Sequence, residues 1–362
     1  VYPGAHHTRF HHAIGCMHLM NKAINQIRNK GHEITEDESE ALKIAILLHD
    51  IGHGPFSHAL EHSIASNISH EHLSLLFMQR LNEQFNGKLS LAIEIFKNKH
   101  PKQFLHQLVS SQLDMDRLDY LKRDSFFSGV TEGNIGTERI INMLDVVSDK
   151  LVVEEKGIYS IEKFLIARRL MYWQVYLHKT VVSAENMLIK VLQRAKELLN
   201  EGKEVYANPY LGEFLKNNYT ISDFENNSKL LNDFAELDDF DIYSSLKYWK
   251  NNPDFVLSSL SKMILNRKLL KIKVQNTAFK SSEIETQIDI VKQYYNITKQ
   301  EAEYFIFSDK VSNSTYNIEK ANINILMKNG DVIDITSASG QFNIEALKKT
   351  INKYFLCYPK LK

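Results

Sequence analysis

The sequence predicts a mainly α-helical protein with a smaller α+β segment at its C-terminal end. Up to about residue 200, apolar residues recur at three- and four-residue spacing, which is the period of a helix that buries one face. Farther along, β-branched residues alternate with others, and Asn329-Gly330 separates two such runs, a strong signal for a β-hairpin. We therefore predict a helical domain at 1–200, a helical extension at 201–265 and an α+β subdomain at 266–362.

The N-terminal part is divided by glycines and prolines, which interrupt helices. These breaks fall at Gly31, Gly52, Gly54, Pro55, Asn86-Gly87 and Pro101. The helices predicted between and after them are 12–29, 36–48, 70–85, 89–98, 102–128 and 160–200.

Four shorter segments complete the predicted fold. Alternating apolar residues about a Lys-Gly pair indicate a hairpin over 150–161. In the C-terminal subdomain, the pattern predicts a strand at 268–274, an amphipathic helix at 342–354 and a closing strand at 354–359.

The charge and the cysteine content argue against several classes of protein. Lysine plus arginine and aspartate plus glutamate number 44 each, so no global basic field favours a membrane surface or long nucleic acid. Cys16 and Cys357 form no Cys-x-x-Cys pair, so neither a disulfide framework nor a thiolate zinc site is predicted. No apolar stretch approaches the roughly 20 residues that span a bilayer. We expect a cytoplasmic protein without a signal peptide.

Histidines are concentrated near the start of the chain. Twelve of the 15 lie within the first 72 residues, and His49-Asp50 ends an apolar helix in the string AILLHDIGHGPFSH. Imidazole and carboxylate are common ligands of divalent metals, and adjacent residues at a helix end can both face a metal at that terminus. A helix C-cap or a surface ion pair is the alternative interpretation. The apolar run favours the metal site, because polar groups at a half-buried helix end need partners.

The residues after this pair force the chain to turn. Two glycines and Pro55 end the helix, and a new helix is predicted over 56–64. Such a turn would let His53 and His58 face the same cavity from its other side.

Three strings of this sequence resemble a known family. PGAHHTRFHHAIG, HDIGHGPFSHALE and LDMDRLDYLKRD are similar to the motifs of the HD superfamily of metal-dependent phosphohydrolases. Within the superfamily, they resemble the deoxynucleoside-triphosphate triphosphohydrolase branch. The resemblance covers about residues 2–180, half of the chain, and implies that the helical body is an all-helical HD domain.

The resemblance implies one divalent metal held by His12, His49, Asp50 and Asp116. Asp114 is the competing ligand, but on a helix it would face elsewhere than Asp116, and the family pattern also chooses Asp116. Two imidazoles and two carboxylates leave positions for water and a phosphate oxygen. They suit Mg²⁺, Mn²⁺, Fe²⁺, Ni²⁺ or Zn²⁺.

Similar enzymes place histidines near the metal to contact the phosphates and protonate the leaving group. His53, His58 and His70 match those positions, and Glu71 follows as a carboxylate that could orient a histidine. The string at His70 and Glu71 also fits a helix N-terminus, where an acidic residue favours the helix dipole. Glu61 stands where the family usually has aspartate. The early histidines without a motif match are expected at the surface or behind the site: His6, His7, His11, His18, His62 and His72.

Two helix faces carry the expected substrate contacts. One has Asp116, Tyr120 and Asp124 at four-residue spacing, and the other begins at Arg168. Tyrosines at this spacing are more commonly core residues, but an arginine at the head of such a stripe suits phosphate better than a core. By the resemblance, the triphosphate would be held by Arg9, Arg117 and Arg168. The deoxyribose would be held by Tyr120, Asp124 and Tyr176, with Tyr172 where close relatives carry histidine.

These features predict a deoxynucleoside triphosphate (dNTP) triphosphohydrolase that releases deoxynucleoside and inorganic triphosphate. Two alternatives stay open, namely a phosphohydrolase acting on another nucleotide or on nucleic-acid ends, and a non-catalytic nucleotide sensor. The resemblance also implies a homo-oligomer. Similar enzymes carry an upstream Gln-Leu-Gly segment that contacts the sugar, and this sequence begins inside the motif at Val1.

Overall fold

The structure is a computed structural model that describes residues 2–57, 68–316, 322–339 and 349–361. Within these ranges the chain is mainly helical, as predicted. It forms two compact units, each assembled from separate stretches of sequence. Unit 1 comprises Val1–Ile51, Phe77–Tyr176 and Asn313–Ile351, and unit 2 comprises Gly52–Leu76, Leu177–Ser312 and Asn352–Lys362. The domain division at residues 200 and 265 stays a prediction.

The helices follow one another closely along the described chain. The first eight are α1 (Arg9–Asn29), α2 (Glu36–Leu48), α3 (His70–Gln84), α4 (Ser90–Phe96), α5 (Gln103–Val109), α6 (Met115–Ser128), α7 (Thr137–Asn142) and α8 (Ile158–Met171). The next nine are α9 (Lys179–Asn200), α10 (Pro209–Lys216), α11 (Ile221–Asn226), α12 (Ser228–Ala235), α13 (Asp239–Trp249), α14 (Phe255–Leu265), α15 (Ser281–Tyr295), α16 (Lys299–Ala302) and α17 (Ile335–Ala338). The first four predicted helices are confirmed, with ends within three residues of those of α1 to α4.

In unit 1, α1 packs against α2 and α6. The side chains of Thr8 and Thr35 accept hydrogen bonds from backbone amides in the first turns of α1 and α2, which otherwise lack partners. Met20, Ile24 and Leu42 from the facing sides of these helices are fully buried in the core. Burial of such side chains contributes about 1.5–3 kcal/mol each, so this packing fixes the helices relative to one another.

The long helix predicted over 102–128 is wrong, because the chain breaks between α5 and α6. Ser110 is extended, with φ −146° and ψ 104°. Asp114 then caps α6, since its side chain accepts from the backbone amides of Ser111 and Arg117, each at 2.8 Å. An aspartate that offers amides an alternative partner favours a helix start over a helix interior.

The long helix predicted over 160–200 is also wrong. A π-helical turn at Tyr172–Tyr176 ends α8, and α9 begins after His178, whose side chain accepts from the backbone amide of Thr180. A π turn inserts an extra residue into the helical repeat and shifts the faces of the residues that follow. The apolar spacing on either side continues across it, which is why the sequence pattern concealed the break.

The hairpin predicted over 150–161 lies earlier in the chain than expected. Its strands are β1 (Leu144–Val147) and β2 (Lys150–Glu154), paired antiparallel. Ser148 and Asp149 form the turn with φ of 49° and 59°, so both are in the left-handed region that a tight hairpin requires. The predicted centre lies instead in the short 3₁₀ turn that precedes α8. The usual Asn-Gly signal is absent from the real turn, and this caused the error.

The remaining strands extend two separate sheets. They are β3 (Lys271–Gln275), β4 (Phe307–Asn313), β5 (Asn324–Leu326), β6 (Val332–Asp334) and β7 (Ile351–Tyr358). Unit 1 holds a sheet of order β1-β2-β5-β6, in which β5 joins β2 in parallel. The second sheet has the order β3-β7-β4. The hairpin predicted at Asn329-Gly330 is confirmed by the antiparallel pairing of β5 with β6 and by a φ of +91° at Gly330.

The outcome for the other C-terminal predictions is mixed. β3 confirms the strand predicted at 268–274, and β7 confirms the strand predicted at 354–359. Residues 342–348 of the predicted helix lie outside the described ranges. Residues 351–354, which the same prediction made helical, belong to β7, where pairing within the sheet of order β3-β7-β4 overrides a weak helical period.

In unit 2, α9 packs against α10, α14 and β3. Trp249 at the end of α13 is buried, and its indole nitrogen donates to the carbonyl of Tyr206 at 2.7 Å. Arg194 of α9 makes a two-point contact with Asp254, the residue that caps α14. None of the helices in the described ranges is long and apolar enough to cross a membrane.

The turn after α2 is close-packed within unit 2. A Cβ atom at Gly52 would lie 2.2 Å from the carbonyl oxygen of His70, so only glycine fits there. Phe56 and Ser57 have φ of 50° and 44°, and the helix predicted over 56–64 therefore does not begin at Phe56. Residues 58–64 of that prediction lie outside the described residues.

Candidate active site

Three helix ends of unit 1 bring four predicted residues together. His12 lies in the first turn of α1, His49 and Asp50 follow α2, and Asp116 lies in the first turn of α6. Their side chains converge, with the rings of His12 and His49 5.5 Å apart. The helix packing described above therefore assembles residues that are more than 100 positions apart in the sequence.

His49 presents a ring nitrogen suited to a metal. Its Nδ1 lies 2.6 Å from the carbonyl oxygen of Ile46, and since a carbonyl accepts, Nδ1 carries a hydrogen and Nε2 is the nitrogen left to face the cluster. Nε2 is buried and has no hydrogen-bond partner in the described part of the chain. The carboxylate oxygens of Asp50 and Asp116 lie 3.5 and 3.7 Å from it.

His12 is held at both ring nitrogens. Nδ1 lies 2.8 Å from Oδ2 of Asp119, and Nε2 lies 3.2 Å from Oδ1 of Asp116 and 3.9 Å from Oδ2 of Asp50. The Nε2 atoms of both histidines therefore face the same two carboxylates. His12 and His49 are 9% and 8% exposed, so both imidazoles are almost entirely removed from water.

The charges in this cluster shift the pKa values of its members. Burial lowers the pKa of His12, but its hydrogen bonds to Asp116 and Asp119 outweigh burial and raise the pKa to about 12. Burial also acts to lower the pKa of His49, but the neighbouring Asp116 and Asp50 raise it. Burial raises the pKa of Asp116, but the two imidazoles bring it well below its usual range. The cluster thus stabilises positive charge between its carboxylates.

A divalent metal fits this donor set. Such ions bind imidazole nitrogens and carboxylate oxygens. The cluster offers Nε2 of His49, which has no hydrogen-bond partner among the described residues, and the carboxylate oxygens of Asp50 and Asp116. Cys16 lies beside the cluster, with its Sγ 3.5 Å from both ring nitrogens of His12. Equal distances to the two nitrogens place the sulfur in line with neither lone pair. Burial raises the pKa of the Cys16 thiol to about 12, which favours the neutral form.

Asp114 and Arg117 form a separate ion pair at the start of α6. Asp114 is fully buried and caps the helix, and its carboxylate also accepts from the guanidinium of Arg117. These partners occupy Asp114, the competing ligand of the sequence prediction. The charge of Asp114 in turn raises the pKa of Arg117 against the opposite effect of burial, so the guanidinium stays cationic.

Asp124 lies among aromatic side chains of unit 1. The hydroxyl of Tyr176 donates to its Oδ2 at 2.6 Å, and the Nε2 of His7 lies 2.7 Å from its Oδ1. Tyr120 and Tyr172 contact the ring of Tyr176 edge-on, with centroids 6.0 and 5.2 Å away. The π turn carries Tyr172 and Tyr176 to this position. The structure therefore brings together the four residues predicted from the two helix faces.

Two further predicted arginines also lie in unit 1. Arg9 donates to Oδ2 of Asp50 at 2.8 Å. Arg168 is 9% exposed, and its Nη1 donates to Oε1 of Gln112 at 3.1 Å. Its Nε is buried without a hydrogen-bond partner among the described residues, which leaves one donor of the guanidinium unused.

Two of the predicted catalytic histidines, His53 and His70, belong to unit 2. The rings of His53 and His70 stack with centroids 3.8 Å apart, and His70 begins α3. Glu71 is exposed in the first turn of that helix, where it fits the alternative interpretation of a helix N-terminus. His58 lies outside the described residues, as does Glu61.

Three further residues contact the predicted site, and of these the sequence predicts a place only for His7, at the surface or behind the site. Asp119 bonds His12, His7 bonds Asp124, and Gln112 bonds Arg168. Only Asp119 carried a signal, because it follows Asp116 by three residues and hence lies on a neighbouring part of the same helix face. His7 and Gln112 lie on other segments, which only the fold brings close.

Comparisons with known proteins agree with this geometry. The HD domain matches residues 9–124, and the HD associated region matches residues 135–207. A crystal structure of a phosphohydrolase from Bacteroides thetaiotaomicron is 53% identical, with a TM-score of 0.95 over 99% of this chain and 89% of that one. The uncharacterised protein YwfO of Bacillus subtilis is 29% identical over 99% of this chain and 83% of its own length.

A third relative carries a more specific name. The deoxynucleoside triphosphate triphosphohydrolase SAMHD1 homolog of Dictyostelium discoideum is 32% identical over 55% of this chain and 42% of its own length. The cluster of His12, His49, Asp50 and Asp116 lies within the part of the chain that the HD domain matches. The chain belongs to the HD-domain phosphohydrolase family.

Proposed function

We propose that this protein hydrolyses deoxynucleoside triphosphates to deoxynucleoside and inorganic triphosphate. The observation that carries the proposal is the cluster of His12, His49, Asp50 and Asp116, in which Nε2 of His49 faces two carboxylates and has no hydrogen-bond partner among the described residues. The relatives named as dNTP triphosphohydrolases support the choice of substrate class. A homo-oligomer and a cytoplasmic location stay predictions.

The four clustered residues would hold one divalent metal. When bound, such an ion polarises a phosphate oxygen and lowers the pKa of a bound water. The chain supplies cations for the remaining phosphate charge, and we assign this role to Arg9, Arg117 and Arg168. The unused Nε donor of Arg168 supports the assignment, because guanidinium groups bind phosphate through several parallel N–H donors.

Asp124 would select the sugar. Its carboxylate already accepts from Tyr176, and the remaining lone pairs can accept a hydrogen bond from a 3′-hydroxyl. Tyr120, Tyr172 and Tyr176 would pack against the ring, and a tyrosine against C2′ leaves no room for a 2′-hydroxyl. A site built to bond one hydroxyl discriminates strongly against an analogue that lacks it.

His53, His58 and His70 would serve the leaving group. In the proposed reaction, water adds to the α-phosphorus and the bond from phosphorus to the 5′-oxygen breaks, so that oxygen needs one proton. A histidine can donate it near neutral pH, and the stacked His53 and His70 are the described candidates. Glu71 would assist only by its effect on His70.

The test is the identity of the products. The purified chain is incubated with Mn²⁺ or Mg²⁺ and each dNTP, each ribonucleotide and a 3′-deoxy analogue. We expect deoxynucleoside and inorganic triphosphate from dNTPs, with ribonucleotides and the 3′-deoxy analogue turned over poorly. The matched control is Asp124→Asn, which should lose the preference for the 3′-hydroxyl while still binding metal.

Other outcomes would contradict the proposal in recognisable ways. Release of only monophosphate or orthophosphate would indicate a phosphohydrolase with another substrate or another point of attack. Equilibrium binding of dNTP without turnover, unaffected by His70→Ala, would indicate a nucleotide sensor.

A further inference from the structure

We propose that Asp119 is the positioning residue that fixes His12 as a metal ligand, with Arg123 and Gly15 making its geometry possible. The inference rests on the proposed function, since it concerns the same metal centre. Nδ1 is the ring nitrogen of His12 that faces away from the cluster. Nδ1 lies 2.8 Å from Oδ2 of Asp119, and both groups are nearly buried, at 9% and 7% exposed.

Arg123 holds the Asp119 carboxylate at two points. Its Nε donates to Oδ2 at 2.8 Å and its Nη2 to Oδ1 at 2.9 Å. Such a two-point contact fixes the plane of the carboxylate, because both guanidinium donors have a set direction. The oxygen that faces His12 is therefore an oriented acceptor and not a freely rotating one.

An oriented acceptor determines which tautomer His12 adopts. An ionised carboxylate only accepts, so Nδ1 of His12 carries a hydrogen whether or not metal is bound, and Nε2 is the nitrogen that would give up its hydrogen to bind a metal. His49 reaches the same state by bonding the carbonyl of Ile46. The two imidazoles of the cluster are thus prepared by two different acceptors, a side chain for one and the backbone for the other.

Gly15 gives the Asp119–Arg123 pair the room it needs on α1. A Cβ atom at Gly15 would lie 2.1 Å from both Oδ1 of Asp119 and Nη2 of Arg123. Glycine within a helix costs about 1 kcal/mol relative to alanine, so its presence three residues after His12 needs a reason. Close approach of this pair supplies one.

The competing explanation is that Asp119–Arg123 is an ordinary i, i+4 ion pair that stabilises α6. The molecule provides a matched pair for comparison, since Nε2 of His32 lies 2.6 Å from Oδ1 of Asp145 in unit 1. That pair has a similar separation between histidine and aspartate but lies away from the ligand cluster. Asp145→Asn therefore serves as the control for Asp119→Asn.

The experiment measures binding of Mn²⁺ alone to the full chain, by the loss of the free-ion electron paramagnetic resonance signal. We expect Asp119→Asn to weaken binding roughly 10- to 100-fold, the usual effect of removing a group that orients a ligand. Arg123→Lys keeps the charge but loses the two-point contact and should weaken binding severalfold. Asp145→Asn should bind as the unchanged protein does.

A second measurement reports the tautomer, which a merely structural role would not alter. In Asp119→Asn, the side-chain oxygen would accept from Arg123, so the amide NH₂ would face Nδ1 of His12 and favour hydrogen on Nε2. Nitrogen-15 spectra of the Zn²⁺-bound protein, assigned with His12→Gln, should show hydrogen on Nδ1 of His12 in the unchanged protein and in Asp145→Asn, and an altered Nδ1 signal in Asp119→Asn.

The possible failures are distinguishable. If folded Asp119→Asn and Arg123→Lys bind Mn²⁺ like the unchanged protein and keep its tautomer, the inference is overturned and the proposed function stands. If the unchanged protein binds no divalent metal and hydrolyses no nucleotide, the proposed function fails and the inference with it. Should Asp119→Asn fail to fold, Arg123→Lys decides the matter alone.

Discussion

The two ends of α1 carry the same types of side chain and use them differently. At the C-terminal end, Arg28 pairs with Glu36 at 3.1 Å, and Lys30 pairs with Glu154 at 2.6 Å. Beyond it, His32 pairs with a single aspartate. At the N-terminal end, by contrast, two histidines face three carboxylates within a few ångströms.

The two ends of α1 differ in how completely their charged and polar side chains are paired. Each basic group at the C-terminal end has an acidic partner and part of its surface in water, so the pairs satisfy one another and contribute little stability. At the N-terminal end, Nε2 of His12 and Nε2 of His49 face the same two carboxylates, those of Asp50 and Asp116, and Nε2 of His49 has no hydrogen-bond partner among the described residues. Burying a polar nitrogen without a hydrogen-bond partner is costly, and a bound metal ion would provide the missing partner. The site is indicated by a cluster in which two imidazoles share carboxylates and one ring nitrogen has no hydrogen-bond partner among the described residues. A histidine–aspartate pair as such does not indicate it.

The largest expected effect follows from removing a carboxylate of the cluster at the N-terminal end of α1. Asp116→Asn should reduce Mn²⁺ affinity by more than roughly 100-fold and abolish hydrolysis, because it removes a charge that faces both imidazoles. Titration with Mn²⁺ and a dNTP hydrolysis assay measure the two effects. Normal metal affinity in a folded Asp116→Asn protein would contradict the ligand assignment.

A smaller effect is expected from pH, since protons and metal compete for His12. Its pKa is raised to about 12 in the metal-free protein, so the proton stabilises the metal-free state and metal binding must release it. Affinity should therefore fall as pH falls, by about tenfold per pH unit for each proton released. Titrations at several pH values between about 6 and 8 measure the slope. An affinity independent of pH would contradict the charged pairing of His12.

The smallest effect is expected near the C-terminal end of α1. Asp145→Asn removes the partner of His32 and should cost about 1 kcal/mol or less of the free energy of unfolding, since half-exposed ion pairs contribute little. Urea denaturation measures this, and Mn²⁺ titration should show no change. A large loss of metal affinity in this variant would remove the distinction between the two ends of α1.

Local patterns predicted those parts of the fold whose boundaries carry side-chain signals. Glu36–Leu48 has a threonine cap and a clear apolar face, and Asn329-Gly330 has the residues that a tight turn requires. The breaks at Asp114 and at Tyr172–Tyr176 escaped prediction because the apolar spacing runs through them. The position of β5 beside β2 also escaped it, since parallel pairing between distant segments leaves no local trace.

The sequence by itself determined the mainly helical class and the first four helices, while the set of His12, His49, Asp50 and Asp116 came from its resemblance to the HD family. Side-chain chemistry and helical period are local properties, so they can be read without a fold. Only the tertiary structure decided that Asp119 supports His12, that Asp114 caps α6 and that Asp124 bonds Tyr176. These roles depend on which atom of a side chain meets which partner across packed helices, and sequence spacing carries no such information.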